Sequence, residues 1–97
     1  MSKLSVRVYY EDTDSGGVVY YANYLKYIER GRSEYLRELN FDQEQISRDH
    51  STLFVVRSLQ AEYLFPAFLD DLIEVQTEIK SVSHASLTFT QKIVNIE

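Results

Sequence analysis

The residues best suited to chemistry lie in one stretch: Tyr10-Glu11-Asp12-Thr13-Asp14-Ser15-Gly16-Gly17-Val18-Val19-Tyr20-Tyr21-Ala22-Asn23-Tyr24. Three carboxylates and two glycines run straight into the start of an amphipathic pattern. A helix N-terminus presents unpaired backbone N–H groups and a partial positive charge, and so can hold an oxyanion. A carboxylate on the loop before it can attack a carbonyl or deprotonate a water held there. The glycines let an ester or thioester come close to the backbone. The same residues also suit an ordinary acidic turn with a favourable charge–dipole arrangement, and local chemistry alone leaves both readings open.

The elements that must position this stretch are legible from periodicity. Leu4, Val6, Val8 and Tyr10 alternate with Ser5, Arg7, Tyr9 and Glu11, the pattern of a half-buried strand. From Tyr21 the period becomes helical, with Tyr21, Tyr24, Leu25, Ile28, Tyr35, Leu36 and Leu39 as the apolar stripe and Asn40 at the end. Gly31 inside that helix predicts close approach to another element, since glycine there costs about 1 kcal/mol relative to alanine. Asp42 with Gln45 resembles a capping box for a short turn reaching to about Arg48. Leu53 to Phe65 reads as one or two strands closed by Pro66. Ile73, Val75, Thr77 and Ile79 define another strand, Ser81 to His84 a turn, and Leu87 to Ile93 a last strand. The expected class is α+β, an antiparallel sheet wrapped around one long central helix.

A chain of 97 residues fits one domain, and 44% hydrophobic with 26% charged residues is a folded, soluble balance. The core of so short a chain is small, and the eight tyrosines suggest burial against a second copy. The absence of cysteine excludes disulfide scaffolds, thiol nucleophiles and zinc ribbons. His50 and His84 stand in unlike contexts and receive no role, so no metal site is expected. A net charge of −5 argues against nucleic-acid binding. No apolar run reaches the ~20 residues of a membrane span. Met1 to Arg7 lacks an apolar secretion core, so the expected location is the cytoplasm.

The motif from Tyr10 to Tyr24 resembles the active-site signature of the hotdog-fold thioesterases of the 4-hydroxybenzoyl-CoA thioesterase superfamily, most of all the YbgC-type acyl-CoA thioesterases associated with the Tol-Pal system. The likeness begins at Val6-Arg7-Val8-Tyr9-Tyr10 and continues through Tyr24-Leu25-Lys26-Tyr27-Ile28-Glu29-Arg30-Gly31-Arg32-Ser33-Glu34-Tyr35-Leu36. Weaker likeness returns at Phe54-Val55-Val56-Arg57 and Asp70-Asp71-Leu72. It implies a single hotdog domain over residues 1–97, short of the final strand that family members carry. It implies Asp14 as the catalytic carboxylate, acting as nucleophile or as general base, and the Tyr21 N–H as oxyanion donor. Gly17 and Val18 line the approach. Asn23 either orients the substrate or water or makes a hydrogen bond early in the helix, and Tyr20, Tyr24 and Tyr27 either line an acyl pocket or belong to the core. Asp12 either tunes Asp14 or fixes the loop. The YbgC-type enzymes usually carry histidine where this chain has Tyr21.

Coenzyme A is then part of the substrate rather than a cofactor, and an acyl-carrier protein is a second possible acyl donor. Lys80, Arg57 and Lys92 are the candidate phosphate contacts, each also readable as a solvated surface charge. Glu29 and Glu34 stand on the helix where some hotdog relatives keep a catalytic carboxylate; Glu34 reads as surface. The resemblance further implies a homodimer or homotetramer. Two other readings compete: hydration of an enoyl thioester on the same fold, and a non-catalytic module that binds acyl thioesters or acyl-carrier protein.

Overall fold

The computed structural model describes residues 1–41 and 54–97. Strand β1 (Ser2–Arg7) leads through a single 3-10 turn (Tyr10–Asp12) and a loop into helix α1 (Asn23–Glu38). Strands β2 (Leu72–Val82) and β3 (Leu87–Asn95) follow. The sheet has the order β1-β2-β3 and is antiparallel throughout. Leu4 stands opposite Val75 and Val6 opposite Ile73, while Val75 faces Ile93 across the second ladder. This register puts the alternating apolar residues on one face, which a slip of one residue would turn outward. A bulge between Ile79 and Ser81 shifts the far end of β2, and the turn falls at residues 83–86, closed by Ser83 and Ser86.

Helix α1 lies on that face. Val8, Val19, Tyr27, Ala67, Ile73 and Val75 form the core, with Leu4, Val6, Tyr24 and Ile93 packed around it. Gly31 makes the close approach that its position predicts: a Cβ there would stand 2.7 Å from Val75 Cγ1. That contact line also sets which way the helix faces. Tyr27, Gly31 and Leu36 are its buried residues, whereas Tyr21, Leu25 and Leu39 from the expected stripe are exposed. The helix ends as Asn40 predicts. Asn40 takes a φ of 66°, its N–H donates to the Arg37 carbonyl, and the Phe41 N–H donates to the Leu36 carbonyl at 2.8 Å. This is the Schellman arrangement.

The expected strand at 53–65 is not seen. Leu53, like the proposed short turn from Asp42 to Arg48 and like His50, lies outside the described residues. Residues 54–65 form no ladder, and Val55, Val56, Leu64 and Phe65 are 68–87% exposed. Their composition suits a strand, but a strand exists only where a neighbouring edge accepts its N–H and C=O groups.

Candidate active site

The exit of β1 is pinned before the loop begins. Val8 donates its N–H to the Asp71 carbonyl, and the Asp70 N–H donates back to the Val8 carbonyl, both at 2.9 Å. The 3-10 turn then closes on itself: the Asp12 N–H donates to the Tyr9 carbonyl at 3.0 Å, and the Tyr9 N–H donates to the Asp12 carboxylate at 2.9 Å.

Asp14 opens a tight turn. Its N–H donates to the Val18 carbonyl at 2.9 Å, and its carbonyl accepts the Gly17 N–H at 3.1 Å. Gly17 reaches this geometry with a φ of +81°, where other residues are strained. The Asp14 carboxylate accepts the Gly16 N–H on Oδ1 at 2.8 Å, while Oδ2 takes no hydrogen bond among the described residues. One oxygen is therefore held in place by the backbone, and the other faces solvent from an exposed residue.

The returning limb is clamped against residues 66–69. Val19 donates its N–H to the Ala67 carbonyl at 2.8 Å, Val18 bridges Phe68, and the Leu69 N–H reaches the Gly17 carbonyl at 3.3 Å. The chain then turns into α1 through three successive bonds between residues three apart: Asn23 to Tyr20, Tyr24 to Tyr21 and Leu25 to Ala22. The N–H groups of Tyr21 and Ala22 find no acceptor among the described residues. Unpaired donors at a helix start, just after a carboxylate turn, are the arrangement an oxyanion requires.

Beside these donors lies an open, mainly apolar cleft of about 270 Å³, lined by Val19, Tyr21, Tyr24, Tyr63, Phe65 and Pro66 among others. The Tyr21 and Tyr24 rings stand 6.1 and 5.7 Å from that of Tyr63, and the Tyr24 hydroxyl accepts the Ala67 N–H at 2.9 Å.

Gly17 and Val18 thus share one turn with Asp14, and Tyr20 packs its ring 5.0 Å from that of Tyr21. Asn23 differs: its side-chain amide turns back and donates to the Asp12 carbonyl at 2.9 Å. Glu29 accepts a hydrogen bond from the Ser33 hydroxyl, and Glu34 pairs with Arg37, both along the helix surface. The basic candidates do not gather. Lys92 sits opposite Gln76, so Lys80 lies four residues further along β2, on the order of 13 Å at the usual strand rise. Arg57 is exposed in the segment without a ladder.

Sequence reasoning passed over Tyr63 and, weighing Tyr27 between an acyl pocket and the core, did not place it beside Asp12. The run Tyr63-Leu64-Phe65-Pro66 was the available signal for the first, being aromatic and closed by proline. Tyr27 is 1% exposed, and its hydroxyl is a buried polar atom without a hydrogen-bond partner among the described residues. Burial raises the pKa of that hydroxyl well above the usual tyrosine value, and the neighbouring Asp12 carboxylate raises it further.

A helix packed on an antiparallel sheet, with a carboxylate turn feeding the helix start, is an α+β arrangement of hotdog architecture. The same architecture appears in the crystal structure of a probable thioesterase from Bartonella henselae, which superposes with a TM-score of 0.92 at 37% identity, over 98% of this chain and 79% of that one. The chain belongs to the thioesterase superfamily, the family that residues 16–97 match. It is 54% identical over 92 residues to the acyl-CoA thioester hydrolase YbgC of Escherichia coli O6:H1, a match covering 95% of this chain and 68% of that protein. It is 51% identical over 89 residues to the acyl-CoA thioesterase YbgC of Haemophilus influenzae, covering 92% of this chain and 65% of that protein. Among the described residues, no helix is long and apolar enough to cross a membrane.

Proposed function

We propose that this chain hydrolyses the thioester of an acyl-CoA to a free acid and a thiol, with Asp14 as the catalytic carboxylate and the Tyr21 N–H as oxyanion donor. The observation that carries the reading is the pairing of two features on one short segment. A carboxylate with one oxygen fixed by Gly16 and the other unpaired stands on the loop that feeds two unpaired helix-start N–H groups.

The thioester carbonyl oxygen sits on the Tyr21 N–H, which favours the negative charge that develops on it. In one route Asp14 Oδ2 bonds to the carbonyl carbon, the C–S bond breaks, the thiol leaves, and water then cleaves the mixed anhydride. In the other route Asp14 takes a proton from water as that water attacks the carbonyl carbon, the C–S bond breaks, and the proton passes from Asp14 to the departing sulfur. Both routes end in the same products, and both need the free oxygen of Asp14. Gly17, Val18 and Tyr20 border the approach, and coenzyme A enters as part of the substrate. An acyl-carrier protein presents the same thioester and is an alternative donor.

The active form is a homodimer or homotetramer in the cytoplasm. Support for self-association comes from the exposed apolar residues Val55, Val56, Leu59, Leu64 and Phe65, a concentration that a second copy would cover.

Thiol release from a panel of short, long and aromatic acyl-CoAs tests the reading. Asp14→Asn should lower turnover by about 10²–10⁴-fold, the range for loss of a positioned acid–base group. Unchanged turnover in that variant would move the chemistry off Asp14. Binding of an acyl-CoA with no hydrolysis by the wild-type protein would replace the hydrolase with a binding module.

A further inference from the structure

Asp12 joins the two halves of the candidate site. Its carboxylate holds the Tyr9 N–H at 2.9 Å, and its carbonyl accepts two donors, the Tyr20 N–H at 3.0 Å and the Asn23 side-chain amide at 2.9 Å. A carbonyl with two donors has both lone pairs engaged. Asp14 follows Asp12 by two residues, and Tyr21 follows Tyr20 by one, so whatever holds the Asp12 carbonyl sets the carboxylate against the oxyanion donor.

The direction of the Asn23 side chain is informative. An asparagine at the N-cap turns its side-chain oxygen onto the N–H groups two or three residues further on; Asn23 is the first residue of α1, one past the N-cap Ala22. Here the nitrogen is used, it points away from the helix to the loop, and the helix N-cap position has no side-chain cap. The Tyr21 and Ala22 N–H groups come before Asn23 in the chain, and they stay free among the described residues. Tyr27 lies one helical turn after Asn23, on the same face, and its buried, unpaired hydroxyl adjoins the Asp12 carboxylate. Two consecutive turns of α1 therefore address one loop residue.

We propose that Asn23 is a positioning residue rather than a substrate contact: by tying the Asp12 carbonyl to the first turn of α1, it fixes the Asp14 carboxylate relative to the Tyr21 N–H. The inference rests on the proposed reading of Asp14. A misplacement of about 1 Å at reacting groups costs roughly 100-fold in rate, so loss of one tether reaches kcat even though the chain stays folded. A residue that touches substrate directly would show itself in KM instead.

The test is a double-mutant cycle on kcat and KM for acyl-CoA hydrolysis, using wild type, Asn23→Ala, Asp14→Asn and the double variant. Melting curves establish that each is folded, and the isosteric Asn23→Asp, which removes the donor without removing volume, repeats the cycle if the alanine variant does not fold. Asn23→Ala should lower kcat about 10- to 100-fold with KM within about twofold, and should have little further effect once Asp14 is Asn, because it acts through Asp14. A rise in KM at constant kcat would overturn the proposal in favour of substrate contact. An equal loss in both backgrounds would overturn it in favour of a role independent of Asp14. Wild-type turnover in Asp14→Asn alone would instead refute the reading of Asp14 and leave the KM-against-kcat split to judge Asn23.

Discussion

Gly31→Ala is the substitution whose consequence follows most directly from the geometry. The added methyl would lie 2.7 Å from Val75 Cγ1, 3.0 Å from Thr77 Oγ1 and 3.1 Å from Gln91 Nε2. Ordinary contact begins near 3.4 Å, so α1 and β2 must part by about 0.7 Å. The sheet cannot give way, because β2 is its central strand and Val75 and Thr77 are essentially inaccessible to solvent. The helix must lift instead. Lifting stretches the bond that the Gln91 amide, on β3, donates to the Ile28 carbonyl of the helix at 2.8 Å.

Overpacking of this kind costs about 1–3 kcal/mol, and a weakened hydrogen bond adds about 1. Alanine recovers about 1 kcal/mol through its better helix propensity. The net expectation is a loss of about 1–3 kcal/mol, or roughly 5–15 °C in Tm for a chain of this size. The measurement is a thermal melt of both proteins at one fixed concentration, since self-association makes Tm concentration-dependent. Lys26→Ala on the exposed side of the same helix is the control. A Gly31→Ala protein that melts at or above wild type would refute the close approach, because only the propensity gain would then be present. Turnover should fall as well, because the helix that lifts is the one whose start carries the Tyr21 N–H.

Two further outcomes are expected. At Gly17 a Cβ would meet nothing within 4 Å, so Gly17→Ala costs only the backbone strain of a φ of +81°, about 1–2 kcal/mol; kcat/KM should fall more steeply than Tm, and an unchanged kcat/KM would separate this turn from catalysis. Tyr27→Phe removes a buried hydroxyl that has no hydrogen-bond partner among the described residues, so stability should rise by about 1 kcal/mol, and a lower Tm in the variant would refute this. The folded-state pKa of Tyr27 lies above its ordinary value of 10.0, so its contribution to stability is intact below that pH and is lost as pH rises further. Absorbance at 295 nm should show one of the eight tyrosines ionising late in the folded wild type, and no such step in Tyr27→Phe.

What was legible in the chain and what was not divides by the range of the interaction responsible. The alternation from Ile73 to Ile79 marks β2 because side-chain direction in a strand is a local property, and the Asn40 stop marks the helix end for the same reason. The turn at Asp14 is equally local, its carboxylate bonding to a backbone N–H two residues away. The tether from Asn23 spans 11 residues, and the bond from Ala67 to the Tyr24 hydroxyl spans 43. Neither leaves a periodic trace, so the sequence leaves Asn23 open between a substrate contact and a hydrogen bond early in the helix, and Tyr63 is not singled out at all. The helix face is misread by the same logic: a hydropathy stripe counts Leu25 and Leu39 as core and scores glycine as nothing. In the fold the glycine is the residue nearest the sheet, and the face follows it to Tyr27. That rotation buries Tyr27 beside Asp12, so the packing of the helix middle bears on the loop that carries Asp14. A substitution at Gly31 should therefore disturb Asp14 without touching it.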